Sequence, residues 1–350
     1  INQPDVWKNL FRYLFFKNSP LSFNWSYLPK SIPWLVKFLK NCNSNSMNYT
    51  AEHMSVLLKK ALPTYKMLLN EINGSDLLTN KGVLYVWMNE RQKPSQDQIE
   101  IRNKNNVEQI SLNASQILDL EPNLSKNIKG GWYFPQANHT LNPDKILNKL
   151  FLKFIEKKGQ FIKERVALVN PQNKSFNIND KDFDIVVICC GAFSKRLINQ
   201  LETKKIPLET ERGYHLEYMG IQDHLTRPTS LVEAGIYLTP LEYGIRAAGT
   251  VEIAGIKNII NKSRLNYIHY HAGKLIPKLN DYQNSWLGFR PTLPDCLPII
   301  SDSLNHENLY YAFGHNHLGW TLGPITGKII NGIINGEEKI NPAFSLSKYL

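Results

Sequence analysis

Apolar residues recur at helical spacing along much of the chain. Trp7, Leu10, Phe11, Leu14 and Phe15 share one face, with Lys8, Arg12 and Lys17 elsewhere, and Ile32–Lys40 repeats the pattern with Trp34, Leu35, Phe38 and Leu39. Both stretches predict short basic amphipathic helices, whose apolar faces either pack on the body or dock on a membrane surface. After the polar run Asn41–Asn48, Thr50 stands as the cap of a long helix towards Ile72, with Met54, Leu57, Leu58, Ala61 and Leu62 along it and a kink expected at Pro63. Asn142–Lys158 is the plainest helix. A cap and Pro143 open it, Ile146, Leu147, Leu150, Phe151, Phe154 and Ile155 line it, and Gly159 follows its end. A helix over Asn258–Leu279 leads to the last one, where Thr321 caps, Pro324 sits in the first turn, Ile325, Ile329, Ile330, Ile333 and Ile334 recur, and Gly336 terminates.

Other stretches read as strands. Gly82–Met88 is apolar and β-prone, a strand is expected around Phe161–Val169, and Asp184–Cys190 is an unbroken apolar run bounded by Gly191. That run predicts a central parallel strand buried on both faces. With its neighbours it resembles half of a doubly wound nucleotide-binding sheet. From Leu208 to Ile253 the chain turns β-rich with short turns, predicting an antiparallel sheet whose Tyr and Thr residues line a pocket. The predicted class is therefore α/β with an added antiparallel sheet. A strand at Leu309–Phe313, then a glycine-flanked loop, then the last helix would place backbone N–H groups and a positive helix end beside an anion or cofactor.

At 350 residues and 42% hydrophobic, the chain can form one large or two smaller interlocked domains. The net charge of +11 comes from scattered lysines and arginines with no run of five, so it describes a solvated surface rather than a nucleic-acid arm. Cys42, Cys189, Cys190 and Cys296 have no metal-ligand or disulfide spacing and read as free thiols. The vicinal pair Cys189–Cys190 reads as inert packing in its strand. His315 and His317 lack further ligands at metal spacing, so no metal is expected, and both histidines should face a pocket. No GxGxxG occurs, and Gly323-x-x-x-Gly327-Lys328 lacks the spacing and the hydroxyl of a phosphate loop. Gly191-Ala192 would bring the backbone close to a ligand at a strand end. Arg290, framed by Phe289 and Pro291, offers a planar fork suited to a carboxylate; a loop-holding salt bridge is the alternative. No apolar run is long enough to span a bilayer, and the first residues lack the layout of a signal peptide.

Six segments in order, GWYFPQANHTLNPDKIL (131–147), DIVVICCGAFS (184–194), ERGYHLEY (211–218), TPLEYGIRAAGTVEIAG (239–255), WLGFRPTLPDCLPII (286–300) and GHNHLGWTLGPITG (314–327), resemble the flavin-dependent D-amino acid oxidase and dehydrogenase superfamily, especially its bacterial dehydrogenases. The resemblance covers about residues 6–336. It implies an FAD-binding doubly wound domain (131–205 and 285–340) entwined with an antiparallel-sheet substrate domain (51–130 and 206–284), after an amphipathic helical segment (1–50). It implies that Arg290 binds the substrate carboxylate, with Tyr214, Tyr237 and His317 as further pocket residues. It also implies that Val166 touches the adenine side, that Gly191 and Ala192 approach the cofactor, and that Gly314, His315, Asn316, His317, Leu318, Gly319, Trp320 and Thr321 contact the flavin. Hydride would pass from the substrate Cα to the flavin with no dedicated catalytic base.

The family's opening strand–GxGxxG–helix is missing from this sequence. Ile1 corresponds to a point well inside the family pattern, so truncation at the N-terminus and weak FAD binding by these residues are expected. The implied activity is oxidative deamination of D-amino acids to 2-oxo acids and ammonia. Alternatives are oxidation of glycine, sarcosine or a cyclic imino acid, or a non-catalytic fragment. A quinone or carrier as electron acceptor, a cytoplasmic location and peripheral contact with the inner face of the cell membrane through residues 6–40 complete the expectation.

Overall fold

The computed structural model describes Pro4 and residues 19–349, and the helix expected near residues 6–17 lies outside them. In chain order, β1 (Leu21–Phe23) precedes α1 (Leu28–Lys40) and α2 (Ser44–Glu71). Then come β2 (Val83–Trp87), α3 (Gln96–Lys104), β3 (Ile110–Asn113), α4 (Ala114–Leu120), β4 (Gly130–Phe134) and α5 (Pro143–Glu156). β5 (Val186–Ile188) and α6 (Ser194–Leu201) lead to β6 (Glu209–Met219), β7 (Thr229–Leu231), β8 (Ile236–Leu241) and β9 (Gly244–Ile253). The chain continues with α7 (Lys262–Leu275), β10 (Asn284–Thr292), β11 (Ile299–Asp302), β12 (Leu309–Phe313) and α8 (Gly319–Ile334).

One large sheet runs β10-β6-β9-β8-β7-β2-β4-β3, with β1 added parallel to β9. Its two faces follow from the period of two along each strand. Tyr214, Leu216 and Tyr218 of β6 point into a core with Leu265, Ile268 and Leu275 of α7. His215 and Glu217 point to the opposite, outward face, where His215 is aligned with Trp286 on β10 and with Ala248 on β9. Tyr237 on β8 is aligned with the same Ala248, and Ser230 on β7 aligns Tyr237 with Tyr85 on β2. This outward face is rich in aromatic side chains.

A smaller sheet, β5-β12-β11, pairs β5 parallel to β12 and β12 antiparallel to β11. Helix α8 leaves the end of β12 and packs on α2, where Met54, Leu57 and Ala61 meet Leu322 and Ile325. The two sheets and their helices form the mixed α/β architecture expected.

Several local expectations are corrected. Residues 161–168 form no strand: among the described residues no strand pairs with them, side chains such as Asn179 at Arg165 O and Gln200 at Ala167 O meet their carbonyls instead, and Phe161 is 65% exposed. The run 184–190 yields only the three-residue β5, whose Val187 is 37% exposed, because one face and one edge of β5 are uncovered among the described residues. Cys189 and Cys190 are consequently exposed rather than packed. Helix α2 starts six residues before Thr50, with the Asn43 carboxamide accepting from Ser46 N; the Thr50 hydroxyl instead donates inside the helix to Ser46 O and across to Asp295 O. Helix α8 starts before Thr321, with Leu318 at its N-cap and no side-chain cap. Helix α1 seats Trp34 on the body through a 3.2 Å bond from its indole N–H to Thr292 O, while Ile32 and Val36 stay exposed. No helix among the described residues is long and apolar enough to cross a membrane.

Candidate active site

The outward face of the large sheet carries a flat platform made by two glycines. Gly213 on β6 stands opposite Gly288 on β10, two pairs beyond the Glu211–Arg290 pair. A Cβ on Gly213 would lie 2.2 Å from Arg290 Nη2, and one on Gly288 would lie 2.1 Å from the Trp286 ring. Only hydrogen at these positions lets a guanidinium and an indole lie against the sheet. Arg290 Nη1 donates to Thr250 O at 2.9 Å, and no carboxylate among the described residues comes within ion-pair distance of it. Burial lowers its pKa while the Glu211 charge opposes that shift. The group still stays charged at neutral pH, so a largely buried cation is left in need of an anion.

Beside this platform lies the loop from β12 to α8. Gly314 takes φ +85°, and Asn316 takes φ +51°. Asn316 N donates to Pro291 O at 3.0 Å and its side-chain amide donates to Cys296 O at 3.0 Å, tying the loop to the strand of Arg290. Its Oδ1 is buried without a partner. His315 Nε2 and Thr326 Oγ1 share a 2.9 Å hydrogen bond, and burial pushes His315 down to about 4. His317, on the exposed rim, is lowered by its surroundings and by the nearby Arg290 charge.

A cleft of about 480 Å³ runs between the end of β5 and α8, lined by Gly191, Pro291, His315, Asn316 and Gly319 among others. Gly191 holds φ +57° with nothing within 4 Å of a Cβ there, and Gly323 and Gly327, one and two turns along α8, are equally open. A larger cavity of about 1130 Å³ borders Val166 and Ala192. Its far wall is a buried clamp. Arg212 donates through Nε to Gly255 O at 2.7 Å and through Nη2 to Ala254 O at 2.9 Å, and pairs with Glu252 at 3.3 Å.

The structure thus brings Gly191, His315, Asn316 and Gly319 to one cleft, with Arg290 and Gly314 adjoining it. Val166 and Ala192 stand at the neighbouring cavity. Tyr237 lies on the outward face and donates to the Tyr85 hydroxyl at 3.0 Å. Tyr214 lies on the opposite, core face, where its hydroxyl donates to Glu252 Oε2 at 2.5 Å. Leu318 packs beside the α2–α8 core, Trp320 turns away to donate to Thr140 Oγ1 at 3.1 Å, and Thr321 is exposed. Sequence reasoning passed over Gly213 and Gly288. The glycine pair was readable in principle, because Gly288 and Arg290 are two apart and so share a face.

Residues 24–332 match the family model described as FAD dependent oxidoreductase. The chain belongs to that FAD-dependent oxidoreductase family. A D-amino-acid oxidase from Bradyrhizobium diazoefficiens is 30% identical over 99% of this chain and 86% of the relative. A D-amino acid dehydrogenase from Vibrio atlanticus is 28% identical over 95% of this chain and 83% of the relative. Among solved structures, the glycine oxidase from Geobacillus kaustophilus superposes with a TM-score of 0.72 at 18% identity, covering 84% of this chain and 82% of that one. The L-proline dehydrogenase from P. horikoshii gives 0.72 at 19% identity, with 83% and 81% covered. These last two fix the fold of this FAD-dependent oxidoreductase.

Proposed function

We propose that the protein oxidises D-amino acids to imino acids, which water converts to 2-oxo acids and ammonia. The observation that carries this reading is Arg290, a charged fork pressed onto a glycine platform, with spare donors and no carboxylate partner among the described residues. The relatives' names, D-amino-acid oxidase and D-amino acid dehydrogenase, support the substrate class.

The residues present suit FAD at its flavin and adenine ends. Gly191 offers close backbone approach, Gly319 opens a helix whose N–H groups face the cleft, and the orphaned Asn316 Oδ1 supplies an acceptor. Val166 and Ala192 would border the adenine side. FAD, when bound, accepts the two electrons removed from the substrate.

The chain's own residues position the substrate. Arg290 holds the carboxylate by two parallel N–H···O bonds, which fixes the Cα–N axis relative to the sheet. Two histidines bordering or near this region, His215 and His315, are held below the ordinary imidazole range, mainly by burial, so they stay neutral at pH 7 and add no cation beside Arg290. Arg290→Lys keeps the charge but loses the fork. Loss of substrate affinity with the flavin retained supports the reading; unchanged kinetics removes Arg290 from the site.

A further inference from the structure

We infer that Lys348 and Tyr349 are positioning residues for the loop between β12 and α8, and that they act through Asp295. The consequence for turnover rests on the proposed oxidation of amino acids; the mechanical link does not. The loop carries Asn316, which borders the cleft. Its fixed points are Pro291, near the end of β10, and Cys296, in the turn 293–298 that joins β10 to β11. Asn316 N donates to Pro291 O and its side-chain amide donates to Cys296 O, both at 3.0 Å. Pro291 follows Arg290 directly, so the loop and the proposed carboxylate anchor share one support.

That turn holds an unfavourable backbone. Cys296 takes φ +61° and its bonding partner Asn316 takes φ +51°, so two residues that carry side chains hold each other in left-handed conformation. Such conformations persist where the surroundings over-determine them. Here the surroundings converge on Asp295. Its Oδ1 accepts from Leu297 N at 3.1 Å, across Cys296, and from the Tyr349 hydroxyl at 2.8 Å, while its Oδ2 pairs with Lys348 Nζ at 2.9 Å. Its backbone oxygen accepts from Thr50 Oγ1 on α2 at 3.0 Å. The loop also rests on the turn directly, because a Cβ on Gly314 would stand 2.6 Å from Leu293 Cδ1.

Lys348 directs its three donors to Asp295, to Leu297 O at 3.2 Å and to Ala343 O at 3.1 Å. The lysine side chain is 13% exposed and the aspartate side chain 19%, so solvent screens this pair far less than a surface ion pair. Removing the lysine leaves the carboxylate largely buried without its counterion. The short turn Leu346–Tyr349 that carries the pair is seated independently of it. Leu346 is fully buried in the core that holds Leu293, Ile299 and Tyr311, and its N–H donates to Ser301 Oγ at 3.1 Å. A change at Lys348 therefore releases Asp295 without unseating that turn, and the slack passes through Cys296 to Asn316.

Amide hydrogen exchange reads this link without flavin or substrate. In Lys348→Met and in Tyr349→Phe, the Asn316 N–H should exchange at least about tenfold faster than in the wild type, while the amides of α7, in the other core, keep their protection. Lys348→Arg should recover most of the protection. Tyr349→Phe, which removes one hydroxyl, decides the matter if the methionine variant folds poorly. In the flavin-loaded chain, Lys348→Met should raise KM for D-alanine roughly fivefold with kcat within about twofold. Asn316→Ala should have an effect of similar size, and the double variant should be no worse than about either single one, because both act on one linkage. Unchanged exchange at Asn316, or faster exchange spread evenly over the chain, overturns the assignment. So does a wild-type KM in a variant whose Asn316 amide has been loosened. If no amino acid reduces the flavin, the oxidase reading falls, and the exchange comparison still decides the role of Lys348 and Tyr349.

Discussion

Replacing Gly213 by alanine is a small change with a large expected effect, because it moves Arg290 without altering it. The new Cβ would lie 2.2 Å from Nη2, 2.3 Å from Cζ and 2.8 Å from Nε of Arg290. Carbon-to-heavy-atom contacts settle near 3.5 Å, so the guanidinium must move by about 1 Å or more. That shift stretches the 2.9 Å bond to Thr250 O beyond hydrogen-bond range and turns the fork away from its carboxylate. The backbone itself tolerates alanine, since Gly213 does not take a left-handed φ. The displaced atoms are the far end of a flexible side chain, so the stability cost should stay near about 1 kcal/mol. Misplacement by about 1 Å costs on the order of 100-fold in rate, and a charged hydrogen bond is worth about 1.5–3 kcal/mol, so kcat/KM should fall roughly 10- to 100-fold. Stopped-flow flavin reduction across substrate concentration measures this, with flavin content and melting temperature as controls. Wild-type kcat/KM in Gly213→Ala would refute the placement of Arg290 over the platform as the substrate anchor. A fall that tracks lost flavin would assign the platform to cofactor binding instead.

Further outcomes follow from the same geometry. Arg290→Lys should weaken apparent substrate affinity by about 1.5–3 kcal/mol, read from the concentration dependence of flavin reduction. His315 is pushed down to about 4, so its neutral form is favoured in the folded state; the stability this confers is complete above the unfolded value of about 6.5 and is lost as pH falls towards 4. Urea unfolding at pH 7 and pH 4.5 should therefore show a loss smaller by about 2–3 kcal/mol in His315→Gln, and equal losses in variant and wild type would remove His315 from the acid sensitivity.

Helix α5 was legible because every local signal agrees: Asn142 Oδ1 accepts from Lys145 N at 3.0 Å, Pro143 opens the first turn, and the apolar period holds throughout. Strands were less legible because a strand is completed by its partner. Residues 161–168 have the composition of a strand and no ladder, and β5 has the composition of a buried centre with one side uncovered. Caps failed for a related reason. Thr50 and Thr321 look like caps, but a cap depends on where the first free N–H falls, and both helices begin earlier. For the site, composition identified Arg290, Tyr214 and Tyr237 as interesting, while parity decided their fates. Alternation places successive residues on opposite faces without saying which face is buried, and only the packing of α7 shows that Tyr214 faces the core.

The most direct measurement is anaerobic mixing of the flavin-loaded protein with separate amino acids while the flavin absorbance is recorded. D-Alanine, D-proline and other D-amino acids should bleach the flavin band, and their L-enantiomers should leave it unchanged. Bleaching by L-amino acids alone, or only by molecules that are not amino acids, would contradict the proposed reaction.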